Sequence, residues 1–255
     1  MSDLETVEQC FDLRGRRVLI TGASSGLGAH FAALFAGCRA EVILAGRRIS
    51  VLEERVQHLR SEGCAASCVQ VDVNDAASRK ALAESIGELD VLVNNAGIVI
   101  DRPALQQSEA DWDAVIDTNL KAMFFVAKDL FPALKPRMGA IVNVASILAL
   151  RQAGNVLPYA VSKAGVIQMT KTLALEWARH GIRVNAIAPG YFETELNQEL
   201  WRTSAGEALI KRIPQRRLGK LEDLDGPMLL LASAASRYMT GTVLVVDGGH
   251  LTSSL

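Results

Sequence analysis

The stretch RVLITGASSGLGAHFAALFAG, residues 17–37, decides the fold. An apolar run ends at Thr21, and glycines follow at 22, 26 and 28 in a Gly-x3-Gly-x-Gly spacing that opens an apolar-rich helical segment. A buried strand, a tight glycine turn and a helix in that order gather backbone N–H groups at one point. The start of a helix carries unsatisfied donors and the positive end of the helix dipole, so an anion is welcome there. The glycines let the chain turn and let the backbone approach a pyrophosphate closely. A glycine trio alone is a weak signal, and its place between a strand and a helix is what gives it weight.

Working outward, six more short runs rich in Val, Ile and Leu repeat the strand signal: 41–46, 66–72, 89–95, 140–146, 183–189 and 242–248. Continuous apolar runs of this length fit strands buried on both faces. Helical patterns lie between them at roughly 26–37, 50–62, 75–86, 109–135, 157–179, 195–212 and 222–235. Strands alternating with helices predict an α/β fold of the Rossmann type: a doubly wound, parallel, seven-stranded sheet with helices on both faces. No Pro- or Ser-rich linker and no repeat divides the chain, so a single dinucleotide-binding domain is expected over 1–255, with its core from about 13 to 250. Ligands in such sheets sit beyond the carboxyl ends of the strands.

The 255 residues are 49% hydrophobic with a formal net charge of −1, which gives no basic footprint for nucleic acid. The segment MSDLETVEQC is acidic and has no apolar centre, and no run is long enough to span a bilayer. A cytoplasmic protein with no membrane and no nucleic-acid partner is therefore expected. Of the four cysteines, Cys64 and Cys68 fall on an expected strand, where four residues cover about 13 Å, beyond disulfide reach. With no CxxC pair and four scattered histidines, no metal site is expected.

The strand ends carry the candidate ligand groups. Ser24, Ser25 and Leu27 fill the glycine loop. About twenty residues on, an acid would bind the ribose hydroxyl of NAD, whereas an arginine suits the 2′-phosphate of NADP. This chain has Gly46 there, followed by Arg47 and Arg48, which points to NADPH/NADP+ rather than NAD. The bland alternative is a solvated basic loop. Asp72 and Val73 end the third strand; Asp72 either faces an adenine or caps the helix at 75–86. Asn95, Ala96 and Gly97 of the NNAG run follow the fourth strand as a turn or as a border of the cleft. Tyr159 and Lys163 stand four apart just after Pro158, so in a helix their Cβ atoms lie about 5–6 Å apart. An isolated YxxxK is usually surface packing. Ser146 ends the fifth strand, and Asn119 lies inside an expected helix, where its type has no propensity reason to be.

Taken together, TGxxxGxG at 21–28, NNAG at 94–97, Asn119, Ser146, YxxxK at 159–163 and PGxxxT at 189–194 resemble the short-chain dehydrogenase/reductase superfamily. The resemblance runs from about Leu13 to His250 and shows no departure at the catalytic positions; Ser25 stands where many NADP-linked members carry a second basic residue. It implies an oxidoreductase in which Tyr159 is the general acid for carbonyl reduction and the base for alcohol oxidation. Lys163 would lower the Tyr159 pKa and hold the nicotinamide ribose. Ser146 would bind the substrate oxygen, and Asn119 would hold a water in a proton relay. Pro189, Gly190, Phe192 and Thr194 would border the nicotinamide, and a homotetramer would form through the segments near 109–135 and 157–179 and the last strand.

The expected substrate is a small or medium uncharged ketone or its alcohol, shaped by 147–157 and 191–203. A 3-oxoacyl thioester reductase is the alternative, and the members closest in feel are 3-oxoacyl-carrier-protein reductases and bacterial carbonyl reductases. A cofactor-sensing regulator without catalysis would not need the complete Asn119, Ser146, Tyr159 and Lys163 set. Trp112, Trp177 and Trp201 read as packing residues, His30 and His180 as surface or helix-end groups, and KRIPQRR at 211–217 as a solvated face or a basic lip for an acidic carrier.

Overall fold

The structure is a computed structural model, and it describes residues 6–193 and 201–253. Seven strands are present: β1 (Arg17–Thr21), β2 (Glu41–Gly46), β3 (Ala66–Gln70), β4 (Val91–Asn94), β5 (Ala140–Val144), β6 (Arg183–Pro189) and β7 (Val243–Val246). They form one sheet in the order β3-β2-β1-β4-β5-β6-β7, and every pairing is parallel. The chain winds outward from β1 to β3, then crosses back to β4 and winds the other way. The crevice at that reversal, beyond the ends of β1 and β4, is where a ligand belongs.

The helices among the described residues are α1 (Val7–Cys10), α2 (Gly26–Gly37), α3 (Ile49–Ser61), α4 (Ala76–Ile86), α5 (Glu109–Ile116), α6 (Ala122–Asp129), α7 (Phe131–Leu134), α8 (Leu157–Trp177), α9 (Ser204–Ile210) and α10 (Asp225–Ala232). Alternation along the strands sends side chains to both faces. Val18 and Ile20 of β1 join a cluster with Phe31 and Phe35 of α2, Leu52 of α3 and Leu231 of α10. Leu19 between them joins Leu82 of α4, Leu173 of α8 and Leu130, between α6 and α7, in a second cluster on the opposite face. The central strands are thus buried on both sides. The edge strands depart from the expectation, since β3 and β7 are only partly covered because each lacks a neighbour on one side.

Three differences from the sequence reading bear on the site. The helix expected over 109–135 is interrupted by a π-helical turn at Asp117–Lys121 and again at Leu130, ahead of Pro132 in α7. β5 ends at Val144, so Ser146 lies beyond the strand and opens a 3-10 turn at Ile147–Ala149, where its hydroxyl accepts from the Leu148 N–H. The helix over 75–86 is capped by Asp75, not by Asp72. His30 is also no loose surface group: its Nε2 lies 2.6 Å from Asp225 and joins α2 to α10.

Candidate active site

The glycine loop is built by close backbone approach. Gly22 has φ +67°, and a Cβ there would lie 2.9 Å from the Ala96 Cα. A Cβ on Gly28 would stand 2.4 Å from the Gly22 carbonyl oxygen, so no larger residue fits at the start of α2. Asn95 stitches this loop to the end of β4: its amide donates to the carbonyls of Thr21 at 3.0 Å and Gly22 at 3.3 Å, while the Thr21 hydroxyl accepts from the N–H groups of Asn95 and Ala96. NNAG is therefore a brace of the cradle as well as a turn. Ser25 precedes α2 with no side-chain cap, which leaves first-turn N–H groups for a ligand oxygen.

Two cations from α3 and its N-cap grip the same loop. Arg48 donates from Nη2 to the hydroxyls of Ser24 at 2.7 Å and Ser25 at 2.9 Å, and Arg55 donates from Nε to the Ser24 carbonyl at 2.9 Å. Seven residues are two helical turns, so Arg48 and Arg55 share one face. Arg47 is exposed and makes no side-chain hydrogen bond among the described residues; its carbonyl accepts from Gln70. Gly46 has no carboxylate, and a Cβ there would meet nothing nearer than Leu52 at 3.7 Å. Uncapped donors, a cradle that excludes side chains and guanidinium groups at its rim fit a phosphate-bearing dinucleotide. Asp72 is half-buried, with one carboxylate oxygen accepting from the Asn74 N–H, and Val73 lines a small cleft with Thr21, Ala96 and Thr118.

Ser146, Tyr159, Lys163 and Asn119 converge beside that cradle. Tyr159 and Lys163 share the first turns of α8, with the Lys163 Nζ 5.7 Å from the centre of the Tyr159 ring. The Tyr159 side chain is hydrogen-bonded to Ser146. Lys163 is 3% exposed, and its Nζ donates to the Val144 carbonyl at 2.7 Å. Asn119 is fully buried in the π turn: its Oδ1 accepts from the Ile98 N–H at 2.7 Å, and its Nδ2 donates to the Ile98 carbonyl at 2.8 Å and the Ser162 hydroxyl at 3.2 Å. A Cβ on Gly97 would sit 3.2 Å from Asn119 Oδ1 and 3.7 Å from Lys163 Nζ, so both side chains pack closely against the chain here. π turns of this kind often mark functional sites.

The electrostatics correct one expectation. Burial pushes the Tyr159 pKa above its ordinary value, and the hydrogen bond from Ser146, not Lys163, opposes that rise. Lys163 is brought down to about 8 by burial, because its ammonium is held against a carbonyl in place of a carboxylate. A phenol that keeps its proton at neutral pH can donate it, and a lysine titrating near neutrality can replenish it. The Asn119 amide splints the segment after β4 through its bonds to Ile98 and ties it to Ser162.

Beyond β6, the Gly190 N–H donates to the Val246 carbonyl at 2.8 Å and follows Pro189, the last residue of the strand. Phe192 turns its side chain into the core and bridges Gly219 through its backbone. Thr194 lies outside the described residues.

A family model described as Enoyl-(Acyl carrier protein) reductase matches residues 22–250. Gluconate 5-dehydrogenase of Gluconobacter oxydans (strain 621H) is 39% identical over 249 residues, 95% of this chain and 97% of that protein. The 3-oxoacyl-[acyl-carrier-protein] reductase of Thermotoga maritima is 42% identical over 242 residues, 93% of this chain and 98% of that protein. The chain is a short-chain dehydrogenase/reductase. The crystal structure of a gluconate 5-dehydrogenase from Burkholderia cenocepacia J2315 in complex with NADP and tartrate is similar to it, with a TM-score of 0.92 and 37% identity over 96% of this chain and 98% of that one.

Two features of this short-chain dehydrogenase/reductase escape a reading of the sequence. The Arg55 contact is hinted at by its spacing of seven from Arg48, although that spacing alone does not say which loop the helix face meets. Tyr191, just past β6, is a second partly buried phenol close to Tyr159, and burial raises its pKa too, so both keep their protons at neutral pH. Among the described residues no group of His, Cys, Asp and Glu is arranged to hold a metal, and no helix is long and apolar enough to cross a membrane.

Proposed function

We propose that this protein is an NADP(H)-dependent oxidoreductase that interconverts a ketone and a secondary alcohol, with Tyr159 as the proton-transferring group. The observation that carries this reading is the placement of a protonated, buried Tyr159 beside Ser146 and a buried Lys163 with its pKa lowered to about 8, at the mouth of a glycine cradle rimmed by arginine. NADPH, when bound, supplies the hydride. The first turn of α2 and the loop of Gly22, Ser24, Ser25, Gly26, Leu27 and Gly28 hold the pyrophosphate. Arg48, with Arg47 beside it, holds the 2′-phosphate. Asp72, Val73, Asn95, Ala96 and Gly97 line the adenosine side, while Pro189, Gly190, Phe192 and Thr194 border the nicotinamide.

Ser146 and Tyr159 hydrogen-bond the substrate carbonyl oxygen, which stabilises the charge that develops there. Tyr159 gives its phenolic proton to that oxygen, and Lys163 restores the phenol. Asn119 positions the segment carrying Gly97 and Ile98. Residues 1–255 act as a single cofactor-binding unit, in the cytoplasm, as a homotetramer. Exposed Leu157, Val161 and Leu175 on α8, Trp112 on α5 and Val245 on the edge strand β7 support that assembly. Light scattering should give a tetrameric mass; a stable monomer would refute the assembly.

Following NADPH absorbance against a panel of ketones, sugar-derived keto acids and acetoacetyl thioesters tests the activity. NADPH oxidation that depends on one of these carbonyls is expected, and none with any of them would overturn the reading. A 3-oxoacyl thioester as the substrate is favoured by the identity with the Thermotoga maritima reductase; the thioester arm of the panel decides it.

A further inference from the structure

The segment between Ser146 and Tyr159 is gripped from outside at two points. The chain leaves the sheet after the Ala145 N–H donates to the Ile187 carbonyl at 2.8 Å. Ser146 then opens one 3-10 turn, in which the Ala149 N–H donates to the Ser146 carbonyl at 3.0 Å and the Arg151 N–H to the Ile147 carbonyl at 2.8 Å. No helix or strand follows until α8 begins at Leu157. A lone 3-10 turn has poor hydrogen-bond geometry, and a single turn is not stable by itself. The place of the Ser146 hydroxyl therefore depends on what holds the turn.

On the Tyr159 side the hold comes from the loop after β4. The Arg102 N–H donates to the Asn155 carbonyl at 2.8 Å, and Gln107 Nε2 donates to the same carbonyl at 3.4 Å. Asn155 has φ +65°, which asparagine tolerates. On the Ser146 side the hold is Arg151, half-buried, whose Nη1 donates to the His250 carbonyl and, at 3.4 Å, to the Ser253 carbonyl. Those acceptors sit on a 3-10 turn rooted in the sheet. The carboxylate of Asp247, directly after β7, accepts from the N–H groups of Gly249 and Leu251. A Cβ on Gly190, at the end of β6, would lie 2.7 Å from the Asp247 Cβ, so this root is packed tightly. Arg151 thus ties the turn that carries Ser146 to the end of β7.

We propose that Arg151 is a positioning residue for the reaction: by anchoring the Ser146 turn to the C-terminal turn at His250–Thr252, it fixes the Ser146 hydroxyl against Tyr159. This rests on the oxidoreductase reading above and adds a residue to it. The Ser146 hydroxyl accepts from the Leu148 N–H at 3.1 Å, inside the turn that the Arg151 N–H closes, so movement of the guanidinium end is passed to it along a short path. Hydrogen bonds from a charged donor are about twice as strong as neutral ones. Without them the turn is held from the Asn155 side, beyond the far end of the loop. A misplacement of about 1 Å at a reacting centre can cost about 10²-fold in rate. Arg151 therefore acts on the rate without touching the substrate.

The test measures the single-turnover rate with saturating NADPH on whichever carbonyl of the panel above the wild type reduces fastest. It compares the wild type, Arg151→Met and Arg151→Lys, each with and without Ser146→Ala, and follows NADPH affinity by fluorescence as a check on folding. Arg151→Met keeps the aliphatic stem and removes the donors, so the rate should fall about ten- to a hundredfold with NADPH affinity unchanged. Both carbonyls are reached from the single nitrogen Nη1, which a lysine ammonium can imitate, so Arg151→Lys should restore most of the rate. In the Ser146→Ala background Arg151→Met should change the rate by less than about twofold, because residues that act through one another do not add. Four results would each overturn the inference and leave the oxidoreductase reading standing: a normal rate in Arg151→Met, Arg151→Lys as slow as Arg151→Met, the full loss repeated without Ser146, or a loss of NADPH binding in step with the rate. A wild type that reduces no carbonyl of the panel would overturn both.

Discussion

Arg48 and Ser24 are joined by a 2.7 Å hydrogen bond that sets a guanidinium over the glycine loop, and the same nitrogen reaches the Ser25 hydroxyl at 2.9 Å. Serine at 25 thus serves as the seat for an arginine supplied by the next βα unit. A charge-assisted hydrogen bond contributes roughly 1.5–3 kcal/mol, about ten- to a hundredfold in affinity. Arg48→Ala should therefore lower the NADPH-over-NADH ratio in kcat/KM by about that factor. Because the space at Gly46 admits a side chain, Gly46→Asp combined with Arg48→Ala should fold and invert the ratio. Unchanged ratios in both variants would mean that the arginine only braces the serines.

Replacing Asn119 with leucine keeps the volume and removes its bonds to Ile98 and Ser162. Each buried group left unpaired costs about 1–3 kcal/mol. With the Ile98 N–H and carbonyl both orphaned, denaturant unfolding should show a loss of about 2–5 kcal/mol. A variant as stable as the wild type would show that water takes over these bonds at no cost.

Much of this architecture is legible in the sequence because it is written in types and spacings. The apolar runs locate all seven strands, the glycines locate the cradle, and the YxxxK spacing survives as one face of α8. What stays hidden depends on side-chain direction and tertiary contact. Nothing in RR at 47–48 says which guanidinium turns toward the loop; in the structure it is Arg48. The π turn at Asn119 is set by bonds to Ile98, a residue twenty-one positions away in sequence. The Lys163 pKa is likewise set by burial, which the four-residue spacing to Tyr159 cannot convey.

Lys163 makes stability depend on pH. Its pKa in the fold is about 8 against 10.5 for the free side chain. Between those values the unfolded chain holds more protons, so stability rises with pH across that window and the penalty for burying the charge is relieved. Relative to Lys163→Met, which has no proton to lose, the wild type should gain about 2 kcal/mol between pH 7 and pH 9.5. Parallel pH profiles for the two proteins would place the lysine pKa near its free value.

The central claim is that the Tyr159 phenol moves the proton, and Tyr159→Phe tests it with one atom removed. Its single-turnover rate of ketone reduction with saturating NADPH should fall by about 10²–10⁴-fold. The NADPH dissociation constant should stay within about threefold of the wild-type value, since the cradle at Gly22 to Gly28 is untouched. A Tyr159→Phe protein that keeps half the wild-type rate would contradict the account.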